Sequence, residues 1–185
     1  MTAEQIKLLR APYHPKDVLW KPLKCGESAK GRKWAMVLAY VDARVGQQRL
    51  DDVGVLWQTN YRDIPGGVIC ELSIWHEGVG WVTRSDGAQW GGEDDQDPIK
   101  TGVSNAFKRA LFKWGPGVYF YGFGTTLVDV VPSPDDWKAP WWKQIDSKGY
   151  SKQTGNKTEI KGWWRYPMLP EQFIPSGYEY PWETA

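Results

Sequence analysis

The sequence predicts an α+β protein, with an antiparallel sheet of three to four strands packed on a long central helix and an irregular Trp- and Pro-rich C-terminal tail. Three observations predict it. Residues 55–84 hold three segments of strand character separated by Gly-containing connections. Residues 103–114 carry one unbroken apolar stripe at helical spacing. From Pro132 onward seven prolines and six tryptophans occur with little periodicity, so that stretch offers neither a helical stripe nor strand alternation. The expected organisation is a domain over residues 1–131 and an extension over 132–185 that packs on the domain or on a neighbouring subunit.

Along the chain, residues 1–9 set Ile6 and Leu9 on one side of a short helix, and the Pro-rich residues 11–22 read as extended. Lys21, Lys24, Lys30, Arg32 and Lys33 then face only Glu27, and Gly26 and Gly31 mark the stretch as a flexible basic loop. It leads into a buried strand over 34–41, after which Asp42 is placed to cap a helix reaching about Val53. Three strands follow. Val55, Trp57, Thr59 and Tyr61 alternate in the first, and Val68, Cys70, Leu72 and Ile74 in the second. The third, 81–84, is short. Pro65-Gly66-Gly67 and the turn at 76–80 suit antiparallel connections.

Composition narrows the function classes. The chain has 185 residues, 41% hydrophobic and 24% charged, which is enough for a globular core. Thirteen tryptophans need either a core to bury them or flat ligands to stack on. A net charge of +1 excludes a polycation, so any nucleic-acid binding must rest on local segregation of charge. No apolar run is long enough to span a bilayer, and two isolated cysteines, Cys25 and Cys70, form neither a disulfide framework nor a zinc site. The expected setting is cytoplasmic, in a bacterial or phage-infected cell.

The clearest helix also carries the clearest charge signal. Val103, Ala106, Phe107, Ala110, Leu111 and Trp114 form its apolar face, and Gly115-Pro116-Gly117 ends it. Asn105, Lys108, Arg109 and Phe112 point the other way, with Lys113 at the margin. No acid occurs between Asp97 and Asp129, whereas Lys100, Lys108, Arg109 and Lys113 all lie there. Ordinary exposed helices mix signs, so the window marks a surface for phosphates and bases, or for another subunit.

This helix resembles the signature helix of the Rad fifty-two superfamily. The matching run is Lys100-Thr101-Gly102-Val103-Ser104-Asn105-Ala106-Phe107-Lys108-Arg109-Ala110-Leu111-Phe112-Lys113-Trp114-Gly115, then Gly117-Val118-Tyr119-Phe120-Tyr121. It is most similar to the phage Sak-type and bacterial DdrA-like branches. Upstream blocks follow the same order: Ala39-Tyr40-Val41-Asp42-Ala43-Arg44-Val45, Arg49-Leu50-Asp51-Asp52-Val53-Gly54 with Trp57, and Gly67-Val68-Ile69-Cys70-Glu71-Leu72-Ser73-Ile74 with Trp81 and Asp86-Gly87-Ala88. The similarity covers about residues 25–125 and does not extend past about 130. It implies an antiparallel sheet followed by a long helix, assembly into rings or helical filaments, and single-stranded DNA held in a basic outer groove. It implies ATP-independent annealing in recombination and repair. The implied groove residues are Lys108 and Arg109, a basic residue at Lys30 with Arg32 and Lys33 nearby, and Tyr40; Lys100, Phe112 and Lys113 complete the expected DNA-binding set. The chain departs from the family form at Phe112, where the eukaryotic branch has a cation, and at Gly115-Pro116-Gly117-Val118, which lacks one.

The expected partners are single-stranded DNA, the annealing duplex intermediate and further copies of the chain, with a single-strand-binding protein or an exonuclease beyond them. No membrane, cofactor, metal or catalytic residue is expected. The alternatives are a protein that coats DNA ends without annealing, and a metal-dependent nuclease using Glu93, Asp94, Asp95 and Asp97. That acidic stretch lies in a Gly-rich loop and reads as solvated. His14 and His76 lack metal-ligand spacing, and Gly155-Asn156-Lys157-Thr158 lacks the spacing of a nucleotide-binding loop. Trp57, Trp75, Trp81, Trp90 and Trp114 read as packing residues. The pairs Trp141-Trp142 and Trp163-Trp164 either stack bases or clamp the tail.

Overall fold

The computed structural model describes residues 1–182. In chain order the elements are helix α1 (Ala3–Arg10), strands β1 (Val18–Glu27) and β2 (Lys33–Val41), helix α2 (Ala43–Asp52), strands β3 (Trp57–Ile64), β4 (Gly67–His76) and β5 (Gly80–Gln89), helix α3 (Pro98–Phe112), the short α4 (Phe120–Phe123), and strands β6 (Thr125–Asp129), β7 (Trp142–Ser151) and β8 (Lys157–Arg165). They divide into two compact units. Unit 1 combines Met1–Tyr13 with Val41–Tyr119, and unit 2 combines His14–Tyr40 with the residues from Phe120 onward.

Unit 1 is an antiparallel three-stranded sheet, β3-β4-β5, with one face against α3. The alternation read along β4 is its cause: Val68, Cys70, Leu72 and Ile74 are all buried, and they meet Ala106, Phe107, Ala110, Leu111 and Trp114 of the α3 stripe. Leu50 of α2 and Leu9 of α1 close the same core. Each large apolar side chain buried this way contributes about 1.5–3 kcal/mol. Asp97 caps α3 by accepting the Lys100 N–H at 3.0 Å, with Pro98 at the first turn, and Gly115-Pro116-Gly117 follows its end. Bounded at both ends in this way, α3 has 15 residues and is not the long central helix expected. Asp42 caps α2 as anticipated, accepting the Arg44 N–H at 2.9 Å. Arg49 of α2 ties down the chain after α1: it donates to the Leu8, Ala11 and Pro12 carbonyls at 3.1, 2.7 and 3.2 Å. Its guanidinium lies 4.4 Å from the centre of the Tyr13 ring.

Unit 2 corrects the sequence expectation most. It is a five-stranded sheet in the order β6-β2-β1-β7-β8, mixed because β1 and β7 run parallel while β2–β6 and β7–β8 are antiparallel. The sheet count is therefore two sheets, not one of three to four strands. The stretch read as a flexible basic loop is largely strand, and only residues 28–32 turn between β1 and β2. Gly26 stands in register with Tyr150, where a Cβ would sit 2.7 Å from the Tyr150 carbonyl oxygen. A Cβ on Gly149 would likewise strike the Cys25 carbonyl. The two glycines permit close approach of β1 and β7; they do not mark loops. The tail is also not irregular from end to end, because residues 142–165 form an antiparallel hairpin. Its buried residues are Ile145, Gly149 and Ser151, then Ile160 and Trp164, so most of them stand four apart among polar neighbours, which hides the period-two pattern.

Candidate nucleic-acid interface

Strand β5 is the edge of the unit 1 sheet, and its row facing α3 reads Val82, Arg84, Asp86, Ala88. Val82 and Ala88 pack against the core, while the charges between them guard the edge against stray pairing. Those charges meet the C-terminal half of α3. Arg109 Nε donates to Asp86 Oδ1 at 3.0 Å, and Lys113 Nζ lies 3.4 Å from Asp86 Oδ2. Lys113 Nζ also donates to the Ser85 carbonyl at 2.6 Å. Arg84 donates to the Lys113 carbonyl at the end of α3, and its guanidinium stacks 4.6 Å from the centre of the Trp114 ring.

Burial pushes the Asp86 carboxyl up. The hydrogen bonds from Arg109 and the Gly87 N–H, with the charges of Arg109 and Lys113, outweigh it and hold the carboxyl below its usual value. Asp86 is thus an ionised anchor shared by two cations. Arg109 and Lys113 pair with this one carboxylate, and Arg84 reaches the Lys113 carbonyl from the same row of β5, so the corner carries three cations to one acid. Arg109 donates to Asp86 only through Nε, and its terminal amino groups make no hydrogen bond among the described residues. Its side chain is 55% exposed, and the fork keeps donors that Asp86 does not use.

The N-terminal half of α3 is different. Lys100, Thr101, Ser104, Asn105 and Lys108 line an open recess of about 340 Å³ together with Asp95, Gln96 and Asp97. Asp95 accepts hydrogen bonds from the Thr101 hydroxyl and from the Asp97 N–H at 3.0 Å, which hold its carboxyl low. With Asp97 capping α3, these two acids are occupied in shaping the loop. No group of three or more His, Cys, Asp and Glu residues among the described residues is placed to hold a metal ion. Lys108 lies near enough to Asp42 to help lower that carboxyl, behind the larger effect of the Arg44 N–H bond. The acid-free window of the sequence is therefore not acid-free in space.

The sequence places Phe112 on the outward side of α3 with Lys108 and Arg109. Phe112 is half-buried, and its ring covers Gly117, where φ is +72° and a Cβ would sit 2.6 Å from the ring. Arg84 is the residue the sequence reading missed. Its signal was its place two residues before Asp86 on an alternating strand.

The remaining expected residues belong to unit 2. Lys30 is exposed in the turn before β2 and makes no ion pair among the described residues. Arg32 is held by Asp129 through both Nε and Nη2, the latter at 2.7 Å. Lys33 and Tyr40 are half-buried near the two ends of β2, with Lys21 Nζ 5.8 Å from the centre of the Tyr40 ring.

Comparison with known proteins adds one finding. The chain is similar to two proteins named single-stranded DNA-binding protein DdrA. The protein of Deinococcus deserti is 32% identical over 123 residues, covering 62% of this chain and 55% of the relative. That of Deinococcus radiodurans is 33% identical over 124 residues, covering 66% and 57%. The chain thus spans a little over half the length of the curated DdrA relatives it matches. No protein-family model and no solved structure matches it. No helix among the described residues is long and apolar enough to cross a membrane.

The tryptophans divide by environment. Trp114 is buried and donates to the Leu72 carbonyl at 3.2 Å; Trp57 donates to Asp51 at 2.7 Å and tilts against Phe107. Trp90 is half-buried beside the same core. Trp75 and Trp81 depart from the packing expectation, for they meet edge to face at 5.6 Å and remain 42% and 45% exposed.

Proposed function

We propose that this protein binds single-stranded DNA through the cationic corner of Arg84, Arg109 and Lys113, and that several copies together anneal complementary strands without ATP. The observation that carries the reading is Asp86 holding Arg109 and Lys113 in place while the outer donors of Arg109 stay exposed. Such a corner suits a phosphate, whose oxygens accept from a guanidinium fork and an ammonium together. Lys100 and Lys108 extend the path along α3, and Lys30, Arg32, Lys33 and Tyr40 are further contacts in unit 2. The names of the DdrA relatives support single-stranded DNA as the ligand. The resemblance to the Rad fifty-two superfamily supports annealing and ring or filament assembly. Exposed Trp75, Trp81, Leu56 and Val79 supply apolar surface for contact between copies.

Annealing requires no bond to break. The protein must reduce repulsion between phosphates and keep bases unpaired, and repetition of a weak site around an oligomer multiplies its hold. The test is anisotropy with labelled oligothymidylate across a salt series, followed by mixing of complementary oligonucleotides without nucleotide. Salt-sensitive binding with faster duplex formation supports the reading, and absence of single-strand binding overturns it. The relatives' names speak of binding alone, which favours a second reading in which the protein coats strands or ends; binding without acceleration selects it. Incubation of DNA with protein and Mg²⁺, against a chelator control, tests the nuclease alternative.

A further inference from the structure

Unit 2 contains a surface that the α3 site does not use. In the β7–β8 hairpin Trp142 stands directly opposite Arg165, so the indole and the guanidinium share one face of the sheet. Both line an open recess of about 420 Å³ with Tyr166, Met168 and Trp182. That volume is within the range of small-ligand sites, about 300–1,000 Å³. Asp136 accepts the indole N–H groups of both Trp142, at 2.8 Å, and Trp141, at 3.2 Å. The tether sets the direction of the Trp142 ring in advance. Trp141 in turn packs on Trp182 with ring centres 5.9 Å apart. Trp142 itself contacts no other ring among the described residues, and Arg165 is exposed and makes no ion pair among them.

A second recess, of about 440 Å³, adjoins the first through their shared Asp129 and Val131, and it is lined by Arg32, Lys33 and Lys161, of which Lys161 is paired with Glu159 at 3.1 Å and Asp146 at 3.7 Å. Asp129 at the junction is already held by Arg32, which offsets its repulsion of an anion. Rings in one recess and cations in the next match the two requirements of a single strand, flat faces for bases and positive charge for the backbone.

We propose that this recess takes one unstacked base of a single-stranded nucleic acid against Trp142 and Trp182, with a flanking phosphate on Arg165 and the backbone led along Lys33 and Arg32. The proposal rests on the single-strand-binding reading above and adds to it a contact that senses bases.

The experiment uses the full chain, labelled oligothymidylate, and an abasic oligonucleotide of equal length. Wild-type protein prefers oligothymidylate. Trp142→Ala weakens that binding roughly 5- to 150-fold, the span for one lost base–aromatic stack, and leaves abasic binding unchanged. Trp142→Phe keeps the preference. Arg165→Gln weakens both ligands and lowers the log–log salt slope by about 0.7, one phosphate contact. Arg109→Gln, in the α3 corner, lowers affinity for both ligands alike and keeps the base preference. Thermal melts confirm folding, and Arg165→Gln, at an exposed strand position, carries the test if Trp142→Ala does not fold. Normal binding by folded Trp142→Ala and Arg165→Gln overturns the recess while the α3 reading stands. A change in oligomer size at unaltered DNA affinity also overturns it, assigning the recess to a second copy. Failure of the wild-type chain to bind either ligand overturns both readings.

Discussion

Replacing Arg109 and Lys113 by Gln, singly and together, tests the α3 corner quantitatively. Each cation that meets a phosphate on a single strand contributes about 0.7 to the slope of log affinity against log salt. Between 50 and 200 mM salt one such contact amounts to a loss of roughly 2.5-fold, so each single variant should show a salt response flatter by that factor. The double variant should exceed the product of the singles, because both cations share Asp86. With one removed, the other still neutralises the carboxylate. With both removed, Asp86 keeps the Gly87 N–H at 2.8 Å but no cation on it from α3, and it repels the strand. Coupling between groups in one network runs about 0.5–3 kcal/mol, so the double variant should bind more than about 2-fold weaker than independence predicts. Adding Asp86→Asn to the double variant should remove that excess. Anisotropy with oligothymidylate across the salt series reads every arm, and the exposed side chains should cost less than about 1 kcal/mol of stability each. Unaltered slopes in the single variants would refute phosphate contact at this corner. A double variant equal to the product of the singles would refute Asp86 as the shared anchor.

Asp86 also sets a pH response. Its folded carboxyl is held below the ordinary value, so its stabilisation is complete above that value and is lost as pH falls through the folded one. Urea melts of wild type and Asp86→Asn should therefore differ most near neutrality and converge in strong acid. Gly117→Ala should destabilise unit 1 by about 1–3 kcal/mol in thermal or urea unfolding, because φ is +72° there and the new Cβ meets the Phe112 ring. Arg49→Ala should remove a charged donor from three backbone carbonyls, costing about 1.5–3 kcal/mol and speeding proteolysis after α1. Arg49→Lys should recover only part of this, since an ammonium cannot reproduce the fork.

What was legible in the sequence was periodic over short range. The alternation of Val68, Cys70, Leu72 and Ile74 and the stripe from Ala106 to Trp114 each name a buried face by spacing alone, and the two faces meet. Asp42 and Gly115-Pro116-Gly117 marked helix ends through local hydrogen bonding and φ. Unit 2 was not legible because its central pairing is parallel and joins Gly26 to Tyr150. No local pattern announces a partner so distant in the chain. The glycines that permit the approach carry the same letters as glycines in turns, and sparse burial in β7 and β8 left the tail looking irregular.

The candidate site was half legible for a related reason. That Lys108, Arg109 and Lys113 face away from the core follows from helix geometry. That Arg84 joins them, and that Asp86 and Asp42 come near, follows only from how β5 and α2 are placed. A run without acids in sequence says nothing of acids on the neighbouring strand. The consequence is chemical as well as arithmetic. A uniformly basic wall would hold phosphates loosely through mobile chains. Here Asp86 takes one N–H of Arg109 and shares the Lys113 ammonium with the Ser85 carbonyl, and in return fixes both directions at the helix end where the α3 dipole favours cations. The corner presents less charge than the sequence window implied, and presents it with the donors already aimed.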